Sequence, residues 1–99
     1  MSVAIIQRMP EGFNTETYDA VNEKASISDD PPKGLISHTL GSSADEFVMV
    51  DVWESKEDFE EFRTGRLNPA LESVVGSETF AAMPTPERSF YEVLDHVNP

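Results

Sequence analysis

His38 and Asp51 are the two residues of this chain whose types and surroundings best suit acid–base chemistry. Each lies in a short apolar segment that is typical of a β-strand. A carboxylate that accepts a hydrogen bond from an imidazole orients the ring and raises its basicity, which prepares the other ring nitrogen to accept a proton. We therefore predict that His38 and Asp51 are catalytic residues, with His38 as a general base.

Phe47, Met49 and Trp53 lie at every second position from Asp51, so they share its side of the strand and offer a surface to a flat organic molecule. The indole of Trp53 could stack on a planar aromatic ligand. We expect four residues to contact a small, planar, apolar substrate: Phe47, Met49, Trp53 and Ile36. The alternative is structural, because His38 and Asp51 could simply satisfy each other's hydrogen bonds, and Trp53 could simply pack in the core or in a dimer interface.

A metal site or a tightly held cofactor finds little support in the residues. The chain has no cysteine and two histidines, His38 and His96, which fall on opposite edge strands of the sheet expected below. Three strand spacings, roughly 14 Å, would separate them within one protomer. The sequence also has no glycine-rich phosphate loop, no G-x-S-x-G motif and no acidic calcium loop. We expect no metal and no cofactor.

The charge of the chain excludes several classes of partner. Lys and Arg number 7 and Asp and Glu number 19, which gives a formal net charge of −12. Such a chain repels nucleic-acid phosphates and anionic membrane surfaces, so we expect it to bind neither. No apolar run approaches the roughly 20 residues of a membrane span, and the first residues do not form a signal peptide. A cytoplasmic protein is the default expectation.

The apolar spacing and the turn residues predict four strands and two helical regions within one domain, residues 1–99. Asn14 and Ser55 are expected to cap the two helical regions at their N-termini, with Phe13 and Tyr18 as a hydrophobic staple. The second region is expected to break at Asn68-Pro69, where Asn68 would cap a new segment. The predicted strands cover 3–9, 35–40, 47–53 and 89–97, the helical regions cover 15–26 and 56–76, and a loop covers 77–87.

The element order βαββαβ predicts an α+β, ferredoxin-like fold with a four-stranded antiparallel sheet and both helical regions on one side. The small valines of the third strand, at 48, 50 and 52, suit packing under the helices. The larger residues at 47, 49, 51 and 53 would then lie on the uncovered side and form a homodimer interface. An approximate register opposes Leu40 to Phe47 and His38 to Met49. His38 and Asp51 would then be diagonal neighbours on the side shared with Ile36.

Several segments together resemble the dimeric α/β-barrel superfamily, and in particular small bacterial proteins similar to antibiotic-biosynthesis monooxygenase (ABM) domains. They are Gln7–Pro10, Tyr18–Val21, Asp30–His38, Val50–Ser55 and Leu67–Leu71, with Phe59 and Phe62. The resemblance implies that two such sheets form a dimeric α/β barrel. It also implies a cofactor-independent monooxygenase or isomerase that acts on a small apolar or aromatic compound in the barrel cavity. The alternative is a non-catalytic homodimeric module that binds a ligand or regulates a partner.

Overall fold

Four antiparallel strands form one sheet in the computed structural model, which describes residues 2–44 and 46–97. The order of the strands is β2-β3-β1-β4, so β1 and β3 are central. With the helices packed on it, the sheet confirms the ferredoxin-like α+β fold that the element order predicts. The strands are β1 (Val3–Arg8), β2 (Leu35–Ser43), β3 (Glu46–Trp53) and β4 (Glu87–Glu92).

The helices begin where the sequence predicts their caps. The backbone N–H of Thr17 donates to Asn14 Oδ1 at 2.8 Å, and that of Asp58 donates to Ser55 Oγ at 3.1 Å. Each bond satisfies a backbone donor that has no acceptor within its own helix. The helices are α1 (Thr15–Ala25), α2 (Lys56–Phe62), α3 (Asn68–Val75) and α4 (Ser77–Ala82). A π-helical turn, Arg63–Leu67, joins α2 to α3. No helix of the described residues is long and apolar enough to cross a membrane.

The predicted break at Asn68-Pro69 is wrong in its details. Asn68 is itself helical, with φ −61° and ψ −45°, and its N–H donates to the carbonyl of Arg63, five residues earlier. Asn68 therefore caps nothing. Pro69 lies in the first turn of α3, where the wider π-helical turn just before it accommodates a residue without an N–H.

Two predictions for the C-terminal part of the chain are also wrong. Residues 77–82 form α4 rather than a loop, because Gly76 ends α3 at a φ of 91° and the next six residues include the good helix formers Glu78, Ala81 and Ala82. The last strand, predicted at 89–97, covers Glu87–Glu92. It ends there because Glu92 pairs with Val3, the first residue of β1, and no partner strand extends further.

Arg66 of the π-helical turn fastens α3 to the end of α1. Its Nη2 donates to the carbonyls of Ala25 and Asp30, at 2.5 and 2.8 Å. A small apolar cluster of Val21, Ala25 and Ala70 lies between the same two helices. The carbonyls at the end of α1, which lack helical donors, therefore receive hydrogen bonds from a side chain of the next helical region.

The helices cover the side of the sheet that carries the large residues, so the predicted assignment of the two sides is wrong. Trp53 is 1% exposed and packs on Phe59 and Phe62, with ring centroids 5.7 and 5.5 Å apart. Val50, on the other side, is 42% exposed. The two phenylalanines of α2 need large partners, and small valines would leave cavities beneath them. We call the covered side the helix side; the other, the open side, carries Ala4, Ile6, Arg8, Val48, Val50 and Val52.

The register between β2 and β3 differs by two residues from the prediction. His38 pairs with Asp51 and Leu40 with Met49, because β2 runs to Ser43 before the chain turns. A two-residue shift keeps every side chain on its side of the sheet. A bulge between Leu35 and Ser37 nevertheless removes Ile36 from the helix side, contrary to the prediction. Leu35 pairs with Trp53 instead, and Ile36 is 40% exposed.

Two adjacent isoleucines of β1 test which side of the sheet is the core. Ile5 is fully buried on the helix side, whereas Ile6 lies on the open side. We expect Ile5→Ala to lower the free energy of unfolding by about 2–5 kcal/mol, because it leaves a cavity in the core, and Ile6→Ala to lower it by clearly less. Urea denaturation measures both, at a protein concentration too low for two copies to associate through the open side. An equal or larger loss for Ile6→Ala would contradict the assignment.

Candidate functional site

A chain of hydrogen bonds joins four side chains on the helix side of the sheet. Tyr18 Oη lies 2.6 Å from His38 Nε2, and His38 Nδ1 lies 2.5 Å from Asp51 Oδ1. The indole N–H of Trp53 donates to the other carboxylate oxygen of Asp51 at 3.4 Å. Both oxygens of this buried carboxylate therefore accept hydrogen bonds, and both ring nitrogens of His38 have partners.

The strands and α1 fix the geometry of this chain. His38 and Asp51 are direct partners across β2 and β3, closer than the diagonal placement predicted from the sequence. Asp51 and Trp53 are two residues apart on β3 and so point to the same side. Tyr18 is the fourth residue of α1, and its ring lies 6.1 Å from the His38 ring at an interplanar angle of 16°.

Tyr18 belongs to this row of hydrogen-bonded side chains, although the sequence analysis did not predict it as a site residue. Its predicted staple contact with Phe13 is present, with ring centroids 6.0 Å apart. The available signal was its hydroxyl, because a tyrosine that packs against the protein usually finds a partner for its O–H. The staple therefore orients Tyr18 over the sheet, and His38 supplies that partner.

Asp51 raises the pKa of His38 above its ordinary value of 6.5, chiefly through their hydrogen bond and in addition through its charge, while burial opposes the shift. Asp51 is 5% exposed, so little water weakens this interaction. The neutral imidazole keeps its proton on Nδ1, and this N–H donates a hydrogen bond to Asp51 Oδ1. The lone pair of Nε2 then points at the Tyr18 hydroxyl, and this is the arrangement of a general base.

The four residues predicted to contact a substrate lie at different positions relative to the hydrogen-bonded side chains. Phe47 packs on Phe13 at 5.0 Å between ring centroids, near the start of α1. Met49 lies on the helix side between Leu40 and Gln7, and is partly buried. Trp53 is a member of the core as well as of the hydrogen-bonded chain. Ile36 lies away from all of them, in the bulge.

A second polar pair lies on the helix side at the opposite edge of the sheet. Gln7 and Arg8 are neighbours on β1 and point to opposite sides of the sheet, with Gln7 on the helix side at 5% exposure. Arg88 Nε donates to Gln7 Oε1 at 2.8 Å. Arg8 points to the open side, where its Nε lies 3.3 Å from a carboxylate oxygen of Glu46.

Neither of two cavities at the surface contains the His38 chain. One, of about 280 Å³, has Lys56, Phe90 and Tyr91 in its wall. The other, of about 390 Å³, lies beside Arg66 and the end of α1. Within residues 2–44 and 46–97, no three His, Cys, Asp or Glu side chains converge as metal ligands. Both ring nitrogens of His38 have partners within the hydrogen-bonded chain, so a molecule that binds to Nε2 would have to displace the Tyr18 hydroxyl.

The raised pKa makes the contribution of His38 to stability depend on pH. Folding favours the protonated imidazole, so this contribution is fully present below the unfolded pKa of 6.5 and is lost as the pH rises through the higher folded pKa. We expect wild type to exceed His38→Gln in free energy of unfolding by more at pH 5.5 than at pH 9. Urea denaturation across this range measures the difference.

His96→Gln is the matched control, because it removes a histidine from the exposed segment after β4. The free energy of unfolding of His96→Gln is measured over the same pH range. Subtracting its pH dependence from that of His38→Gln cancels the effect that the many carboxylates of the protein have on stability. A difference between wild type and His38→Gln that grows with rising pH would contradict the assigned direction.

The chain is similar in fold to several solved structures. No protein-family model and no curated protein matches the chain. Among solved structures, SnoaB, a cofactor-independent oxygenase from Streptomyces nogalater, is 16% identical and has a TM-score of 0.64. That match covers 99% of this chain and 98% of SnoaB.

Two further structures have the same architecture. A candidate antibiotic biosynthesis monooxygenase from Chloroflexus aurantiacus J-10-fl is 12% identical, with a TM-score of 0.65 over 99% of this chain and 98% of its own. The heme-degrader MhuD from Mycobacterium tuberculosis, with two hemes bound in its active site, is 22% identical, with a TM-score of 0.54 over 99% and 100%. The chain therefore has the ferredoxin-like fold of the ABM-type proteins, as its sequence resemblance predicts.

Proposed function

We propose that the protein is a small-molecule enzyme in which His38 removes a proton from a planar aromatic substrate. The observation that carries this proposal is the continuous hydrogen-bonded chain from Tyr18 through His38 to Asp51. A buried carboxylate behind the ring stabilises the imidazolium that forms when Nε2 accepts the proton. The similarity in fold to SnoaB, a cofactor-independent oxygenase, and to MhuD, a heme-degrader, supports a small-molecule substrate.

The proton transfer begins when the substrate displaces the Tyr18 hydroxyl from Nε2. The acidic C–H or O–H of the substrate then faces the lone pair of His38. The freed Tyr18 hydroxyl, still beside the site, donates to the oxygen on which negative charge develops. Met49 and Phe47, on the helix side between β2 and the start of α1, would contact the rings of the substrate, while Trp53 supports Asp51 from behind.

The reaction that follows in this proposal is a cofactor-independent monooxygenation. The carbanion of an aromatic methylene donates electrons to dioxygen, so that CH₂ and O₂ become C=O and H₂O. The substrate supplies all four electrons, and no external reductant is needed. The similarity in fold to SnoaB, a cofactor-independent oxygenase, supports this choice. An isomerase would use the same proton removal and return the proton at another carbon without consuming oxygen.

Heme fits this site poorly. An iron bound to Nε2 would need the same lone pair that the proposed base uses to accept the proton of the substrate, so His38 could not serve both roles. His96 lies beyond β4 in an exposed segment. We therefore assign no step to heme, although MhuD binds it within the same fold.

Substitutions at His38 test the proposed base. With anthrone as the probe, whose central methylene is acidified by the ring carbonyl, we expect wild type to accelerate oxygen consumption and anthraquinone formation. His38→Gln should lower that rate by about 10²–10⁴-fold, because no other group replaces the base. Tyr18→Phe should lower it less, since the phenylalanine leaves Nε2 open but removes one hydrogen-bond donor.

The matched control for this assay is again His96→Gln, which should retain the wild-type rate. Equal rates in wild type and His38→Gln would remove His38 from the mechanism. The absence of turnover across a series of enolisable aromatic compounds would favour a non-catalytic ligand-binding or regulatory module. The two cavities outside the His38 chain are the observation that keeps this second function in view.

We propose a homodimer, and its interface lies on the open side of the sheet rather than on the side of Trp53 that the sequence predicts. The open side presents a row of apolar residues, with Val50 at 42% and Tyr91 at 56% exposure. A second copy of the same sheet would cover this row, as the resemblance to dimeric barrels implies. The side that carries Trp53 is covered by helices of its own chain and is not available for that contact.

A charge on the open side tests this interface. We expect light scattering at micromolar concentration to give about twice the 11.0 kDa of one chain for wild type. Val50→Glu should give one chain, because it would place like charges opposite each other across a symmetric contact. Val74→Glu, on the exposed surface of α3, is the matched control and should remain a dimer. A wild type of 11.0 kDa would contradict the dimer.

A further inference from the structure

The hydroxyl of Tyr18 is hydrogen-bonded to a base, which matters for the transfer of electrons as well as of protons. Its Oη lies 2.6 Å from Nε2 of His38. A phenol that loses one electron becomes a strong acid, and its O–H proton must leave with the electron. A base within hydrogen-bond distance takes that proton without a movement of heavy atoms, which lowers the free energy that is needed to remove the electron.

Asp51 makes His38 a suitable acceptor for this proton. Its Oδ1 lies 2.5 Å from His38 Nδ1, and the carboxylate raises the pKa of His38 above the ordinary value of 6.5. Asp51 itself is 5% exposed and is held by the indole N–H of Trp53. The imidazolium that forms when Nε2 takes the proton is therefore stabilised by a buried negative charge.

The surroundings of the Tyr18 ring favour a radical that persists. The His38 ring is stacked on it, with centroids 6.1 Å apart, and the Phe13 ring packs against it at 6.0 Å. The Tyr18 side chain is partly buried. Two phenoxyl radicals couple only when their rings touch, so these neighbours protect the ring from a second radical. The exposed part of the ring still receives an oxidant from solution.

We propose that Tyr18, hydrogen-bonded to His38, is a redox-active tyrosine that reduces organic peroxyl radicals by one electron. The electron passes from the phenol ring to the radical ROO•, which becomes the hydroperoxide anion ROO⁻. The O–H bond of Tyr18 breaks and an N–H bond forms on His38 Nε2. A neutral phenoxyl radical and an imidazolium remain, so the positive charge gained by His38 balances the negative charge gained by the peroxyl group.

This activity belongs to the protein without a substrate, because a substrate at Nε2 displaces the Tyr18 hydroxyl. It goes beyond the proposed function and does not depend on it, since the phenol and its base both belong to the chain. The two proposals are nevertheless compatible. Peroxyl radicals form when dioxygen adds to a carbon radical, and the proposed monooxygenation brings oxidisable carbon and dioxygen together.

A variant with a single tyrosine tests the proposal. Tyr91→Phe retains only Tyr18. The trichloromethylperoxyl radical is generated in its solution by pulse radiolysis at pH 9, because a protonated imidazole cannot accept the proton. Transient absorption measures the rate at which the phenoxyl radical forms. We expect His38→Gln, added to Tyr91→Phe, to lower this rate about ten- to a hundredfold, because glutamine accepts a hydrogen bond but is not a base.

The matched control is His96→Gln added to the same variant, which should leave the rate unchanged. Equal rates of phenoxyl formation with and without His38→Gln would overturn the proposal.

Tyr18→Phe retains only Tyr91 and separates this chemistry from simple exposure. The protein concentration is kept too low for two copies to associate, so that Tyr91 stays 56% exposed, whereas Tyr18 is partly buried. Exposure alone predicts that Tyr91 is oxidised faster. We expect the reverse order, because only the Tyr18 hydroxyl is bonded to His38. Faster oxidation of Tyr91 would contradict the proposed role of the base.

A second measurement decides if His38→Gln does not fold. The base of Tyr18 is internal, so the rate of phenoxyl formation in Tyr91→Phe should not depend on the concentration of the buffer base. A rate that rises in proportion to the buffer base would overturn the redox activity. The anthrone assay is independent: absence of anthrone turnover together with fast phenoxyl formation contradicts only the proposed function, and the opposite pair of results contradicts only the redox activity.

Discussion

The burial of one carboxylate, Asp51, is the constraint on which much of this structure depends. A buried carboxylate must accept hydrogen bonds on both oxygens, and the two donors come from β2 and β3. One donor, His38, in turn needs a partner for its second nitrogen and finds it on α1. A strand pair, a helix and a core tryptophan are thus held in one geometry by the requirements of a single acidic side chain.

That constraint also means that the core and the proposed base share residues. Trp53 fills the core against the aromatic rings of α2 and at the same time donates to Asp51. Its packing therefore fixes the position of the carboxylate, and the carboxylate fixes the imidazole ring. In the proposed proton transfer, a base oriented in this way would lose little free energy to reorganisation.

The sequence predicted that His38 and Asp51 lie on one side of the sheet as diagonal neighbours, and the structure pairs them directly. Strand alternation carried this prediction, since a register error of two residues leaves every side chain on its side. It could not predict which side the helices cover, because that depends on Phe59 and Phe62 meeting Trp53 across the fold. The bulge at Ile36, the hydroxyl of Tyr18 and the pairing of Gln7 with Arg88 likewise arise from contacts between distant segments.

The hydrogen bonds of Arg66 have a mechanical consequence for access to His38. Tyr18 lies in the first half of α1, and Arg66 holds the carbonyl of Ala25 at the other end of the same helix. Rotating the whole helix to lift the phenol from the imidazole would pull against this anchor. A change of rotamer at Tyr18 alone leaves this anchor intact. We therefore expect the Tyr18 side chain to move away from His38 Nε2 while the backbone of α1 stays in place.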